Sequence, residues 1–158
     1  MDFDELYRRH APDVYRFALY LTGQRSDAED ITAETFARVW TSPEPLRMTT
    51  VKAYLFTIAR NLYRHGRRIQ SRQVAIDEDL RDPALGPLAQ AAQKQEVQSM
   101  LAGLQELPEL SRSALLMYAV DGMPYEQIAQ VLSLSLAAVK VKIHRARVAL
   151  AQTRQESQ

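Results

Sequence analysis

The chain contains no cysteine, which excludes disulfides, thiolate metal ligands and thiol redox sensing within it. Glycines are few, five in 158 residues, and none forms a phosphate-cradling loop. Three histidines, His10, His65 and His144, are scattered and give no metal-ligand spacing. No nucleophile and base constellation is evident, so neither an enzyme nor a cofactor is expected. The longest apolar stretches fall far short of the roughly 20 residues that span a bilayer, and no membrane insertion is expected. Met1-Asp2-Phe3-Asp4-Glu5 is acidic where a secretory signal is basic and then apolar, which makes the cytoplasm the expected location. Internal repeats and alternating strand patterns are absent as well.

Charge is present in blocks. The net charge is only +1, but residues 1–50 carry −3, residues 51–73 carry +6, residues 74–110 carry −5 and residues 111–158 carry +3. Two basic blocks flank an acidic one. The overall balance does not suggest nucleic acid as a partner, whereas this local distribution does.

Every periodic segment is helical. Phe3, Leu6, Tyr7, Val14, Phe17, Ala18 and Leu21 suit an amphipathic helix or helix pair disturbed near Pro12 and ended by Gly23. Ser26 and Glu29 match a capping box that opens a second helix through Ile31, Thr35, Phe36 and Val39 to Trp40. After the Ser42-Pro43-Glu44-Pro45 break, a third helix starts near Thr49 or Thr50 and carries Val51, Tyr54, Leu55, Ile58, Ala59 and Leu62, with Gly66 interrupting its basic tail. Asp77-Glu78-Asp79, Asp82-Pro83 and Leu85-Gly86-Pro87 are poor helix material. A fourth helix spans roughly Leu88 to Leu104, and Leu107-Pro108 opens a fifth that Asp121-Gly122 ends. The expected fold is all-α, with two small helical domains, 1–70 and 91–158, joined by a flexible linker over 71–90.

The segment from Pro124 to Arg147 reads as a helix-turn-helix that ends in a basic helix. Ser135 is placed to cap the second helix. Val139, Ile143 and Ala146 recur at helical spacing and face the core, which sends Lys140, Lys142, His144, Arg145 and Arg147 outward. A helix of this kind fits the DNA major groove, and its cations meet phosphates and guanine edges. The alternative is a solvated basic face on an ordinary helix pair.

Upstream, Lys52, Arg60, Arg64, Arg67, Arg68 and Arg72 occur without one acid in residues 51–73, and Tyr54, Phe56 and Tyr63 are interleaved with them. Cations track a phosphate backbone and aromatic faces stack unpaired bases, so this block suits single-stranded or melted DNA. Tyr54 and Phe56 read alternatively as core residues. Asp27, Glu29, Asp30 and Glu34 suit either a helix N-terminus or a docking face for a basic protein surface.

Taken together, the arrangement resembles a sigma factor of the extracytoplasmic-function (ECF) group in the sigma-70 family, over nearly the whole chain. Asp27 to Trp40 is similar to the family's core-polymerase-binding helix. Tyr54 to Leu62 is similar to its promoter-melting and −10-reading helix. Leu107-Pro108 begins a segment similar to its −35-reading domain. The resemblance implies that residues 1–70 form the region 2-like domain and residues 91–158 the region 4-like domain. It implies core RNA polymerase, promoter DNA and an anti-sigma factor as partners. Carried over by position, Asp27, Asp30, Glu34 and Phe36 would meet polymerase. Tyr54, Arg60, Asn61, Tyr63, Arg64, Arg67 and Arg68 would hold −10 DNA. Ser135, Lys140, Val141, Lys142, His144, Arg145 and Arg147 would serve the −35 duplex, with Arg145 the expected guanine reader.

The sequence departs from the family pattern at several points. Ala33 stands where glutamine is usual, and Tyr54 where tryptophan is. Ser133 replaces a frequent turn glycine. Ala137-Ala138-Val139-Lys140-Val141-Lys142 replaces Gly-Thr-Val-Lys-Ser-Arg, and loses two hydroxyls. Two other readings stay open. One is a helix-turn-helix regulator that does not replace sigma. The other is a degenerate sigma-like interaction module without initiation activity.

Overall fold

A computed structural model of the protein describes residues 2–41, 50–66 and 87–156, with side chains over 94–153 in the last stretch. All regular structure among the described residues is α-helical: α1 Phe3–Thr22, α2 Arg25–Thr41, α3 Val51–Gly66, α4 Pro87–Glu106, α5 Glu109–Ala119, α6 Tyr125–Leu132 and α7 Leu136–Glu156.

Asp2 caps α1 by accepting from the Glu5 N–H at 2.8 Å, and Asp4 and Glu5 complement the positive end of the helix dipole. The disturbance expected near Pro12 does not occur, because α1 is one continuous helix through it. Proline deletes a single N–H bond, and Pro12 lies on the exposed side while Val14, Phe17, Ala18 and Leu21 anchor the other. Gly23 ends the helix at φ 75°, its N–H bonded to the Leu19 carbonyl at 2.7 Å. The capping box expected at Ser26 is also corrected. α2 already begins at Arg25, so Ser26 lies inside its first turn. The Thr22 hydroxyl closes the corner instead, accepting from the Gln24 N–H at 3.1 Å.

Thr50 caps α3 through the Ala53 N–H at 3.1 Å. Phe56 stacks on Phe17 at 4.6 Å, and both are fully buried, which settles Phe56 as a core residue. α1, α2 and α3 pack on one another; α7 packs on α4, α5 and α6. The linker expected over 71–90 lies outside the described residues up to 86, and Pro87 onward is already helix.

The two helical groups are in contact. α1 lies against α4 and α5, and α3 against α6. Arg112, buried on α5, donates to the Leu21 carbonyl of α1 at 2.6 Å, to the Tyr63 hydroxyl of α3 at 3.1 Å, and to the Leu104 and Leu107 carbonyls at 2.9 Å each. Gln105 donates to the Tyr20 carbonyl at 2.9 Å. Two of these bonds satisfy the Tyr20 and Leu21 carbonyls, which the end of α1 leaves without helical partners.

Candidate nucleic-acid interface

α6, the turn and α7 form the helix-turn-helix. Ile128, Val131 and Leu132 of α6 are buried, as are Val139, Ile143 and Ala146 of α7. The turn passes through Ser133 at φ 54°, a left-handed conformation that glycine adopts without penalty and serine does not. Ser135 accepts from the Ala138 N–H at 3.1 Å and caps α7. With the core side fixed, Lys140, Val141, His144, Arg145 and Arg147 are exposed and Lys142 is half-buried.

Two of these cations are not free-standing. Gly122, at φ 63°, turns the chain between α5 and α6. Tyr118 and Tyr125, on either side of that turn, stack at 5.0 Å with 15° between their planes. The Arg147 guanidinium lies 5.0 Å from the Tyr118 ring centre, and the Lys140 ammonium 5.6 Å from that of Tyr125. A hydrogen bond from Tyr125, and then Arg147, holds the Tyr118 phenol below its ordinary pKa, while the same bond raises Tyr125. Arg145 makes no ion pair or hydrogen bond among the described residues.

α3 presents a different situation. Arg64 is exposed, and Tyr54, Asn61 and Tyr63 are half-buried. Arg60 is buried and forms a two-pronged ion pair with Glu109 of α5, at 2.7 and 2.9 Å. Ser113 donates to the same carboxylate at 2.6 Å. Burial raises the Glu109 carboxyl, but hydrogen bonds from Arg60 and Ser113 and the charges of Arg60 and Arg64 outweigh it and hold the group below its ordinary value. Arg67 and Arg68 lie outside the described residues.

On α2, Asp30 and Glu34 are exposed, and Glu34 pairs with Arg38 at 3.4 Å. The other two residues expected to meet polymerase are buried in this arrangement. Phe36 is a core residue, 2% exposed, with its ring 4.9 Å from Tyr7. Asp27 is buried too, and burial, with Asp30 beside it, raises its pKa. The exposed aromatics on that side are Trp40 at 66% and Tyr7 at 46%. Ala33 lines a groove of about 700 Å³ between α1 and α2, together with Tyr7, Tyr15 and Thr32. No helix among the described residues is long and apolar enough to cross a membrane.

Glu109, Arg112 and the Tyr118–Tyr125 stack were not singled out from sequence. Arg112 carried a signal, a long cation set among the apolar positions of α5.

Comparison with known proteins matches residues 6–73 to the Sigma-70 region 2 family and residues 98–150 to the Sigma-70, region 4 family. The chain is 37% identical over 150 residues to the ECF RNA polymerase sigma factor SigE of Mycolicibacterium smegmatis, covering 92% of itself and 58% of that protein. It is 33% identical over 149 residues to the ECF RNA polymerase sigma factor SigM of Bacillus subtilis, covering 93% of itself and 91% of SigM. In fold it is similar to the sigma factor RpoE of Bartonella quintana, solved in complex with the anti-sigma factor NepR, with TM-score 0.81, 23% identity and coverage of 98% and 97%. It is also similar to CnrH in complex with the cytosolic domain of CnrY, with TM-score 0.71, 24% identity and coverage of 99% and 89%.

Proposed function

The chain belongs to the sigma-70 family, in its ECF group, and on that premise we propose that it binds core RNA polymerase and directs initiation at a promoter with two elements. α7 enters the major groove of the −35 duplex. Arg145 takes a guanine edge, His144 and Val141 face neighbouring bases, and Lys140, Lys142 and Arg147 hold phosphates. Ser135 keeps the first turn of α7 in register. α3, with the basic segment that continues it through Arg67 and Arg68, holds the melted −10 strand. Asn61 bonds an extruded base, Tyr54 and Tyr63 offer stacking faces, and Arg60 and Arg64 meet the backbone. Asp30 and Glu34, beside the Ala33 groove, meet a basic surface of polymerase, with Trp40 and Tyr7 as apolar contacts. Asp27 and Phe36 support that surface from beneath.

The observation that carries the reading is the pairing, on one chain, of the capped and outwardly cationic α7 with a second, acid-free basic block around α3. Either alone fits many DNA-binding proteins. The polymerase makes the phosphodiester bond, so no catalytic residue is needed here. Two fold relatives are solved with anti-sigma factors or with a cytosolic domain bound, which supports an anti-sigma factor as the controlling partner and the cytoplasm as the location. Arg60 and Tyr63 lie beneath α5 while the two helical groups are docked, so capture of −10 DNA requires that they separate.

Runoff transcription with purified core polymerase tests the reading on fragments of the source genome. The expected result is discrete start sites that appear only with this chain and vanish with Arg145→Glu. Initiation that is unaffected by Arg145→Glu would refute the assignment of α7. Polymerase binding without initiation would establish the degenerate module instead.

A further inference from the structure

The outer surface of α7 is not uniformly cationic. Val141 is 45% exposed and Val148 44%, on a helix otherwise rich in Lys and Arg. Ala137, Val141, Arg145 and Val148 follow one another at intervals of four, four and three residues, so they form one row along the helix. Lys140 and Arg147 are seven apart and form the neighbouring row, and both lean over the Tyr118–Tyr125 stack. The aromatic pair therefore holds those cations to one side. The row left facing outward is apolar, with Arg145 its one charged member.

An exposed apolar row inside a cationic frame calls for an occupant that is anionic at its edges and apolar at its centre. The DNA major groove offers this at a thymine, since phosphates line its rims and the 5-methyl is an apolar group on a floor otherwise made of hydrogen-bond donors and acceptors. Val141 and Arg145 are separated by about 6 Å along the helix axis, which is one to two base-pair steps.

We propose that Val141 is a specificity-determining residue that reads a thymine through its 5-methyl group, one or two steps from the guanine taken by Arg145. This rests on the reading that α7 enters the −35 duplex. It adds the chemical identity of a base to that reading. Serine at this position would offer a hydroxyl to a polar edge, whereas valine offers only apolar surface and so selects for the methyl.

The test uses holoenzyme reconstituted from the full chain and core polymerase, with duplex promoters randomised over the upstream element. Sequencing the bound fraction should yield a thymine within two steps of a guanine. Each thymine of the selected duplex is then replaced singly by deoxyuridine, which removes the methyl and leaves pairing unchanged. One replacement should weaken binding about fourfold, the effect of one buried methyl-sized group. Val141→Ala should weaken binding to the thymine duplex by a similar factor and show no further loss with deoxyuridine at that position. Arg145→Ala should relax the guanine and keep the deoxyuridine effect. The proposal is overturned if no thymine responds to deoxyuridine, or if the response persists in Val141→Ala. If it fails in that way while Arg145→Ala still relaxes a guanine, α7 reads DNA without Val141. Val141→Ala with unaltered DNA selection would assign the row to a protein partner. Failure to select any upstream sequence would overturn the proposed function as well.

Discussion

Glu109→Gln isolates the contact between the two helical groups. In the wild type, Arg60 is held by both carboxylate oxygens of Glu109, with side-chain exposures of 7% and 20%. Removing one charge of a buried pair typically costs ~3–5 kcal/mol, because the other is left without a partner. Here Glu109 is one-fifth exposed, and separation lets Arg60 rehydrate, so the loss falls on docking rather than on either group's own fold. A weakening of ~2–3 kcal/mol is expected, roughly a 30- to 150-fold fall in the ratio of docked to separated molecules. The chain has no native cysteine, so Ala37→Cys on α2 and Ala151→Cys on α7, both exposed, take a donor and acceptor dye without background. Energy transfer should fall in Glu109→Gln and return in the charge swap Arg60→Glu with Glu109→Arg. The pH dependence has a definite sign. A carboxyl held below its ordinary value contributes stability above the unfolded pKa and loses it as pH falls through the folded one, so this contact holds at neutral pH and loosens in acid. Unchanged energy transfer in Glu109→Gln at neutral pH would refute the argument.

Asp121 should act in the opposite sense. Its carboxylate oxygens have no hydrogen-bond partner among the described residues, and Arg16 stands 3.6 Å away. Burial pushes its pKa up to about 6 against the partial compensation of Lys52 and Arg16. A raised carboxyl favours the native state only while protonated, so Asp121→Asn should raise the unfolding free energy from urea titration at pH 8 by on the order of 1 kcal/mol, and the gain should shrink below pH 6. A gain independent of pH would count against a buried charge. Ser133→Gly should stabilise the helix-turn-helix by ~0.5–1 kcal/mol, since relief of a left-handed serine exceeds the added freedom of glycine in the unfolded chain. Thermal unfolding reads this directly, and a lower Tm would show that Ser133 carries no strain.

The helix-turn-helix was legible because its signals are local. Val139, Ile143 and Ala146 announce the buried side of α7 by spacing, and Ser135 announces its start. α2 was harder to read. Thr32 and Thr35 are buried, with hydroxyls turned back to the Ala28 and Ile31 carbonyls at 2.7 Å each. That bond hides a polar group, so the helix packs a side that its sequence marks as mixed, and Phe36 falls on that side rather than facing a partner. The Arg60–Glu109 pair was illegible for another reason. The residues are 49 positions apart, and within each local window they read as members of a basic block and of an acidic one. The sense in which the two blocks neutralise each other exists only in the docked arrangement.

That arrangement divides the residues proposed to meet DNA unequally, and the division has a consequence for the order of events. The outer row of α7 stays exposed while the groups are docked, whereas Arg60 and Tyr63 are engaged by Glu109 and Arg112 of α5. Under the proposed function, −35 duplex binding by α7 therefore does not compete with docking through these pairs, but −10 capture by α3 does. A single strand must displace the Glu109 carboxylate from Arg60, one anion for another. The free energy of docking is thus subtracted from −10 capture and not from −35 recognition. A partner that separates the groups, as polymerase would by taking α2 and the second group onto different surfaces, removes that penalty before the strand arrives. An anti-sigma factor that favours the docked form would restore it.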